Sequence, residues 1–196
     1  YKFNNGTGGW GSALHTFDDV VTDFITCPLN GVDTFVAAVT SGGVEYSTNG
    51  TVWADETDTT GITHLAYGFR EKLWGISADG ITYFANSLAA SGTVSWTRVA
   101  KLRLPFGKVT KLLVAPGPNP SDDILYAATN IGLFVYNNVG ERWIATDLTL
   151  PYHQSNGTGT TVFRNAIYVN AGMSVYEYTP GEIGGRVRLM GPDLHD

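Results

Sequence analysis

An all-β fold built from repeated sheet units is what three observations on this chain predict. Tryptophans stand at Trp10, Trp53, Trp96 and Trp143, with gaps of 43, 43 and 47 residues. A repeat of that length is the signature of a β-propeller blade or a comparable repeat unit. Charged residues make up only 15% of the chain, glycines number 24 in 196 residues, and no segment carries a helical period. Asn-Gly pairs separate the apolar runs, and that dipeptide supplies the positive φ that a tight hairpin needs at both central positions.

Each unit reads as four short antiparallel strands, A to D. Strand A is the first apolar run of each unit, at 21–25, 62–67, 109–114 and 160–163. Strand B follows at 35–39, 73–76, 124–128 and 166–169, small and apolar on both faces, as suits a strand sandwiched between neighbouring sheets. Strand C opens after Gly43, Gly80, Gly132 and Gly172. Apolar residues one and three places on (Val44 and Tyr46, Ile81 and Tyr83, Leu133 and Val135, Met173 and Val175) turn one face into a core. Strand D carries the tryptophan, after turns such as Thr48-Asn49-Gly50-Thr51 and Asn137-Asn138-Val139-Gly140. The fourth unit has no tryptophan, and Val187, 44 residues after Trp143, takes its place.

The expected architecture is therefore a β-propeller over 1–196, with four complete blades at 20–58, 60–100, 108–148 and 158–190. Residues 1–19 match only strands C and D, a partial N-terminal blade. Two strands alone make a poor edge, so the piece is expected to belong to a larger ring, with the rest of the propeller or neighbouring subunits as partners.

Composition narrows the function. A net charge of −6 leaves no general nucleic-acid partner to expect, because phosphate binding needs clustered Lys and Arg. No apolar stretch reaches the length of a membrane span. Cys27 is the only cysteine, which excludes an internal disulfide and a cysteine metal site, and reads as a small buried hydrophobe. His15, His64, His153 and His195 show no metal-ligand spacing, so neither a metal nor a cofactor is expected. Asn5, Asn49 and Asn156 each open an Asn-Gly-Thr sequon, which favours an extracellular or particle-surface protein, although Asn-Gly also serves turn geometry.

Ser47-Thr48-Asn49-Gly50-Thr51-Val52-Trp53 resembles the Asp-box, or BNR repeat, a Ser/Thr-x-Asp-x-Gly-x-Thr-Trp hairpin at the C–D turn of some propellers. The stretches 133–143 and 1–6 resemble looser members of the same kind, and asparagine stands where the motif has aspartate. Families with such blades include sialidases, sortilin-type receptors, lectins, plant-type photosystem assembly factors and sugar-cleaving enzymes. The resemblance thus implies a fold and leaves function open. A sialidase would need an arginine cluster with a tyrosine–glutamate pair, and the Phe-Arg-Ile-Pro element typical of that family is missing. Phe69-Arg70 and Phe163-Arg164 occupy matching places but fall in A–B turns. A glycosidase needs two carboxylates across a sugar. Asp18, Asp19, Asp55, Glu56, Asp58 and Asp147 sit in D–A connections with no pairing that sequence can set. No catalytic residue is assigned, and the reading leans against an enzyme.

In a propeller the D–A and B–C loops share one face, and here the D–A loops are unlike one another. Residues 54–61 are acidic, with Asp55 and Glu56. Residues 98–108 are basic and apolar, with Arg98, Lys101, Arg103 and Phe106. Residues 147–158 are long and polar, with Tyr152 and His153. Unlike loops on a regular scaffold are how binding surfaces are built. The expected function is a non-catalytic binding or scaffold module engaging a protein or glycan through these residues. The alternatives are a structural subunit of a virion, fibre or surface assembly, and part of a glycosidase or sialidase-type enzyme whose catalytic residues lie in absent blades.

Overall fold

The structure, a computed structural model, describes residues 3–4, 9–10, 15–17, 19–40, 43–56, 61–88, 94–104, 107–119, 122–181 and 185–191. They form four four-stranded antiparallel sheets, each a simple meander, and a two-stranded ribbon. The ribbon pairs β1 (Phe3–Asn4) with β2 (Gly9–Trp10). Blade 1 contains β3 (Val21–Leu29), β4 (Val32–Val39), β5 (Val44–Ser47) and β6 (Ala54–Glu56). Blade 2 contains β7 (Ile62–Tyr67), β8 (Leu73–Ser77), β9 (Ile81–Leu88) and β10 (Val94–Lys101). Blade 3 contains β11 (Val109–Pro116), β12 (Asp123–Thr129), β13 (Gly132–Asn137) and β14 (Arg142–Thr149). Blade 4 contains β15 (Thr161–Phe163), β16 (Ala166–Ala171), β17 (Ser174–Thr179) and β18 (Arg186–Met190).

Two-residue periodicity makes each sheet two-faced, and the core lies between sheets rather than inside one. One cluster joins Cys27, Val36, Ala38, Val44 and Tyr46 of blade 1 to Ile62, Leu65, Leu73 and Ala85 of blade 2. A second joins Trp74 and Ile76 of blade 2 to Leu112, Leu125, Ala127 and Tyr136 of blade 3. A third joins Leu113, Tyr126, Ala128 and Leu133 of blade 3 to Ile167, Val169 and Tyr178 of blade 4. Burial pushes the Cys27 thiol up to about 12, so it packs as an apolar side chain.

Register makes the blades comparable residue by residue. In blades 2 and 3 the indole of the D strand sits opposite the same C-strand position, Trp96 across from Ala85 and Trp143 across from Tyr136. Val187 lies across from Tyr178 at that position in blade 4. The face each sheet turns toward the following blade carries Val36–Tyr46, Trp74–Phe84 and Tyr126–Val135 pairs in blades 1 to 3. In blade 4 the equivalent pair is Tyr168–Glu177, with the tyrosine hydroxyl donating to Glu177 Oε2 at 2.9 Å and Arg188 next in the row.

The A–B turns explain why Phe-Arg recurs. Arg70 and Arg164 both adopt positive φ, at 56° and 54°, where the chain reverses between the first two strands. Phe69 belongs to a 3₁₀ turn (Phe69–Glu71), and its carbonyl accepts from Trp74 Nε1 at 2.9 Å.

Candidate binding face and axial cluster

Hydrogen bonds show that the D–A connections lie over the B–C turns. Leu102 N donates to Gly80 O at 2.8 Å, Val109 N to Ala78 O at 3.0 Å and Leu150 N to Ile131 O at 2.9 Å. Two asparagines anchor this face. Asn130, 3% exposed in the B–C turn of blade 3, accepts Lys108 N on its Oδ1 at 2.8 Å and donates its own N to Lys108 O at 3.1 Å. Asn156, 2% exposed, donates Nδ2 to Pro151 O at 2.7 Å and accepts Gly172 N on Oδ1 at 3.1 Å, which ties the long D–A loop to the next B–C turn. Gly157 beside it has φ 77°, and a Cβ there would come within 2.8 Å of Thr129 O, so only glycine lets the loop lie this close.

Several residues read as loop residues lie elsewhere. Arg98 and Lys101 stand on β10, because that strand keeps pairing with β9 through Lys101↔Ile81. Asp55 and Glu56 stand on β6, Asp147 on β14. Their polar residues made these strand ends look like connections. Arg98 and Arg103 are exposed. Lys101 is 3.8 Å from Asp79 of the B–C turn. Tyr152 is 59% exposed, and His153 Nδ1 meets Ser155 Oγ at 2.7 Å in an exposed turn. Phe106, Asp18 and Asp58 lie outside the described residues, as does the Asn5 sequon. Asn49 is exposed at the tip of its hairpin. At Asn156, the third sequon, the amide nitrogen that would carry a glycan is buried and donates to Pro151 O at 2.7 Å and to Asn130 O of the blade 3 B–C turn at 3.4 Å.

The hairpin at 47–53 is held by side chains. Asn49 Oδ1 accepts Thr51 N and Val52 N at 2.9 Å each, Ser47 Oγ accepts Gly50 N at 2.9 Å, and Trp53 Nε1 donates to Gly50 O at 3.2 Å. An Asx side chain that replaces backbone partners in this way rigidifies a turn.

A cluster on the innermost strands went unread in the sequence. Register shifts fall at one equivalent place in three blades, between Val21 and Asp23, Ile62 and His64, and Val109 and Lys111. Each bulge bends its strand and re-aims the residue that follows. Asp23 Oδ1 lies 2.8 Å from Lys111 Nζ, and its Oδ2 accepts Leu65 N at 2.9 Å, so one carboxylate of blade 1 holds blades 2 and 3 together. His64 Nε2 is 3.3 Å from Val109 O. Burial lowers the His64 pKa, with Lys111 acting in the same direction and Asp23 and the Val109 carbonyl opposing it. The findable signal was the recurrence of Val-Thr-Asp, Ile-Thr-His and Val-Thr-Lys at the same point of three units. Among the described residues no group of His, Cys, Asp and Glu could hold a metal ion. Nor is any helix among them long and apolar enough to cross a membrane.

No family model matches this chain, and no curated protein does. Solved structures do match. The Dos1 propeller is 10% identical over 82% of this chain and 43% of its own, with a TM-score of 0.56. The extracellular domain of a hybrid two-component system from B. thetaiotaomicron is 15% identical over 92% of this chain and 24% of its own, with a TM-score of 0.61. The computationally designed Ika4 protein is 13% identical over 93% and 99%, with a TM-score of 0.55. This chain thus spans less than half the length of the first two. At such identities the likeness shows the fold alone: the chain is built of β-propeller blades.

Proposed function

We propose that the chain is a non-catalytic binding or scaffold module, and that it engages a protein through the face formed by its D–A and B–C loops. One observation carries this reading: the face is fixed from below and varied on top. Asn130, Asn156 and Gly157 anchor the connections by buried hydrogen bonds, while Arg103, Tyr152 and His153 stand exposed in the loops above them. A rigid base lowers the ordering cost of binding, and Tyr and Arg are the side chains that contribute most at protein interfaces. Arg98, Lys101, Arg103 and Lys108 give one sector a basic character within an acidic chain, so association should weaken as salt rises. The hairpin at 47–53 supports an Asp-box-like blade in which Asn49 performs the aspartate's capping. Its exposed sequon supports an extracellular or particle-surface setting.

The test compares wild type with the Arg103→Ala, Tyr152→Ala, His153→Ala triple variant in affinity capture from extract of the source organism. The same two proteins are also applied to a glycan array. Proteins enriched by wild type and lost by the variant, at unchanged melting temperature, support the reading. Equal capture by both overturns it, and binding confined to the array would make the partner a glycan.

A further inference from the structure

Every junction inside the chain buries the A strands of both neighbouring blades. Leu65 and Leu112, which face the preceding blade, are buried in the clusters they share with it. Register puts Phe24 at the same place in blade 1, one residue after the bulge, and it is 48% exposed. Cys27 and Ala115, turned toward the following blade, are buried as well. Phe163 holds that place in blade 4 and is 58% exposed. These are the two exposed phenylalanines among the described residues. One stands on the outer side of the first blade and one on the outer side of the last, so both halves of a junction are present and open. The halves also differ in charge. Residues 3–69 hold eight Asp and Glu and no Lys or Arg. Asp33, exposed beside the A–B turn of blade 1, alternates onto the same side of the sheet as Phe24. Blade 4 exposes Arg164, Arg186 and Arg188, with Glu177 its one acid among the described residues. The Arg164 guanidinium lies 5.2 Å from the centre of the Phe163 ring.

We propose that the outer side of blade 4 docks onto the outer side of blade 1 of a second copy, head to tail, carrying the stack of blades from one molecule into the next. The chain holds a precedent for this contact. Phe69, in the Phe-Arg turn of blade 2, is buried against Tyr136 of blade 3 with ring centroids 6.1 Å apart. Phe163 opens the matching turn of blade 4 and takes the A strand of the next copy, with its Phe24, as the surface it covers. Arg164 then comes to the A–B turn that carries Asp33, where a guanidinium and a carboxylate form a charge-assisted pair. Opposite charge also fixes the direction of docking, because two acidic first blades repel one another while the arginines of blade 4 attract them. A contact between unlike surfaces leaves one free surface of each kind, so copies add in series unless their rotation closes a ring. Both sides are flanks of sheets, so the contact is separate from the loop face and does not depend on its partner.

Sedimentation velocity on the whole chain, over a concentration series at low salt, tests it. Wild type should associate as concentration rises, and about 0.5 M salt should weaken that association. Phe163→Ser with Arg164→Asp closes the blade 4 side, and Phe24→Ser with Asp33→Lys closes the blade 1 side. Each double variant alone should associate about thirtyfold more weakly or not at all. Mixed together they should form a one-to-one dimer and nothing larger, since each retains the side the other lacks. All four side chains are exposed, so melting temperatures should hold; where one falls, Arg164→Asp or Asp33→Lys alone replaces the double variant. A wild type that stays monomeric at every concentration overturns the proposal and leaves the two sides to other blades or another protein. Association that either variant leaves intact also overturns it, because like sides would then be meeting.

Discussion

The junction between blades 2 and 3 and the junction between blades 3 and 4 share one register and differ in what fills it. In the first, Phe69, Trp74, Tyr136 and Trp143 form a continuous aromatic stack, with ring centroids 5.3 to 6.1 Å apart and the outermost indole hydrogen-bonded across the gap to Thr82. In the second, Tyr126 and Tyr178 meet edge to face at 6.3 Å, Val187 is 37% exposed, and a cavity of about 270 Å³ lies beside the two tyrosines. The difference teaches that backbone pairing sets the geometry of a blade, whereas side-chain volume decides whether its junction is solid or hollow.

That comparison can be broken most forcefully by making the solid junction hollow. Trp143→Ala should cost about 3–5 kcal/mol, since it removes a large packed ring and leaves a void. Urea denaturation should show it as a lower midpoint at unchanged slope. A loss below 1 kcal/mol would mean the stack is ornamental and the two junctions are equivalent in energy. Next comes the axial tie. Asp23→Ala strands the buried Leu65 N–H and uncouples Lys111, an expected loss of about 2–3 kcal/mol, while Asp23→Asn, which keeps an acceptor, should lose less.

His64 gives a pH dependence with a definite sign. An unfolded histidine takes its proton near the ordinary 6.5, and the folded one only at lower pH, because burial opposes the charge. The unfolded state therefore binds more protons in that window. Stability attributable to His64 is present above about pH 6.5 and is lost as pH falls through the folded value. Denaturant melts from pH 7.5 to 5 should show the decline, and His64→Gln should flatten it relative to wild type. A profile unchanged by the substitution would remove His64 as the cause.

The smallest effect probes a third junction. Trp96 faces blade 1 as Trp143 faces blade 2, yet its Nε1 is buried without a hydrogen-bond partner. The position equivalent to Thr82 in blade 1 is Val44, which has no hydroxyl to offer. Val44→Thr should therefore cost less than about 1 kcal/mol, its new hydroxyl meeting the orphaned indole, whereas Val36→Thr, a buried neighbour, should cost about 1–3 kcal/mol. Equal losses at the two sites would show that the indole gains nothing from the hydroxyl.

Much of the architecture was legible because it rests on spacing. Trp96 and Trp143 mark equivalent D-strand positions, and Val187, chosen by interval alone, lies across from Tyr178 as Trp143 lies across from Tyr136. The Phe-Arg pairs fell in A–B turns as read. The site was less legible, for reasons that are physical. Arg98 and Lys101 are charged residues on an outer strand, where hydrogen bonding to β9 does not depend on side-chain polarity, so composition mistook strand for loop. Asn156 looked like a surface sequon because its burial comes from turns 26 and 16 residues away in the chain. Asp23, His64 and Lys111 were hidden because bulges are invisible to a two-residue alternation, and an isolated acid, imidazole and amine give no hint that a curved fan brings them together.

The bond between Asp23 and Lys111 has a consequence for synthesis. The two residues are 88 positions apart, so the carboxylate emerges from a ribosome long before the amine that neutralises it. Until the third unit is made, the Asp23 carboxylate on the innermost strand of the first has no Lys111 to meet it, so this tie between blades can form only once that unit is complete.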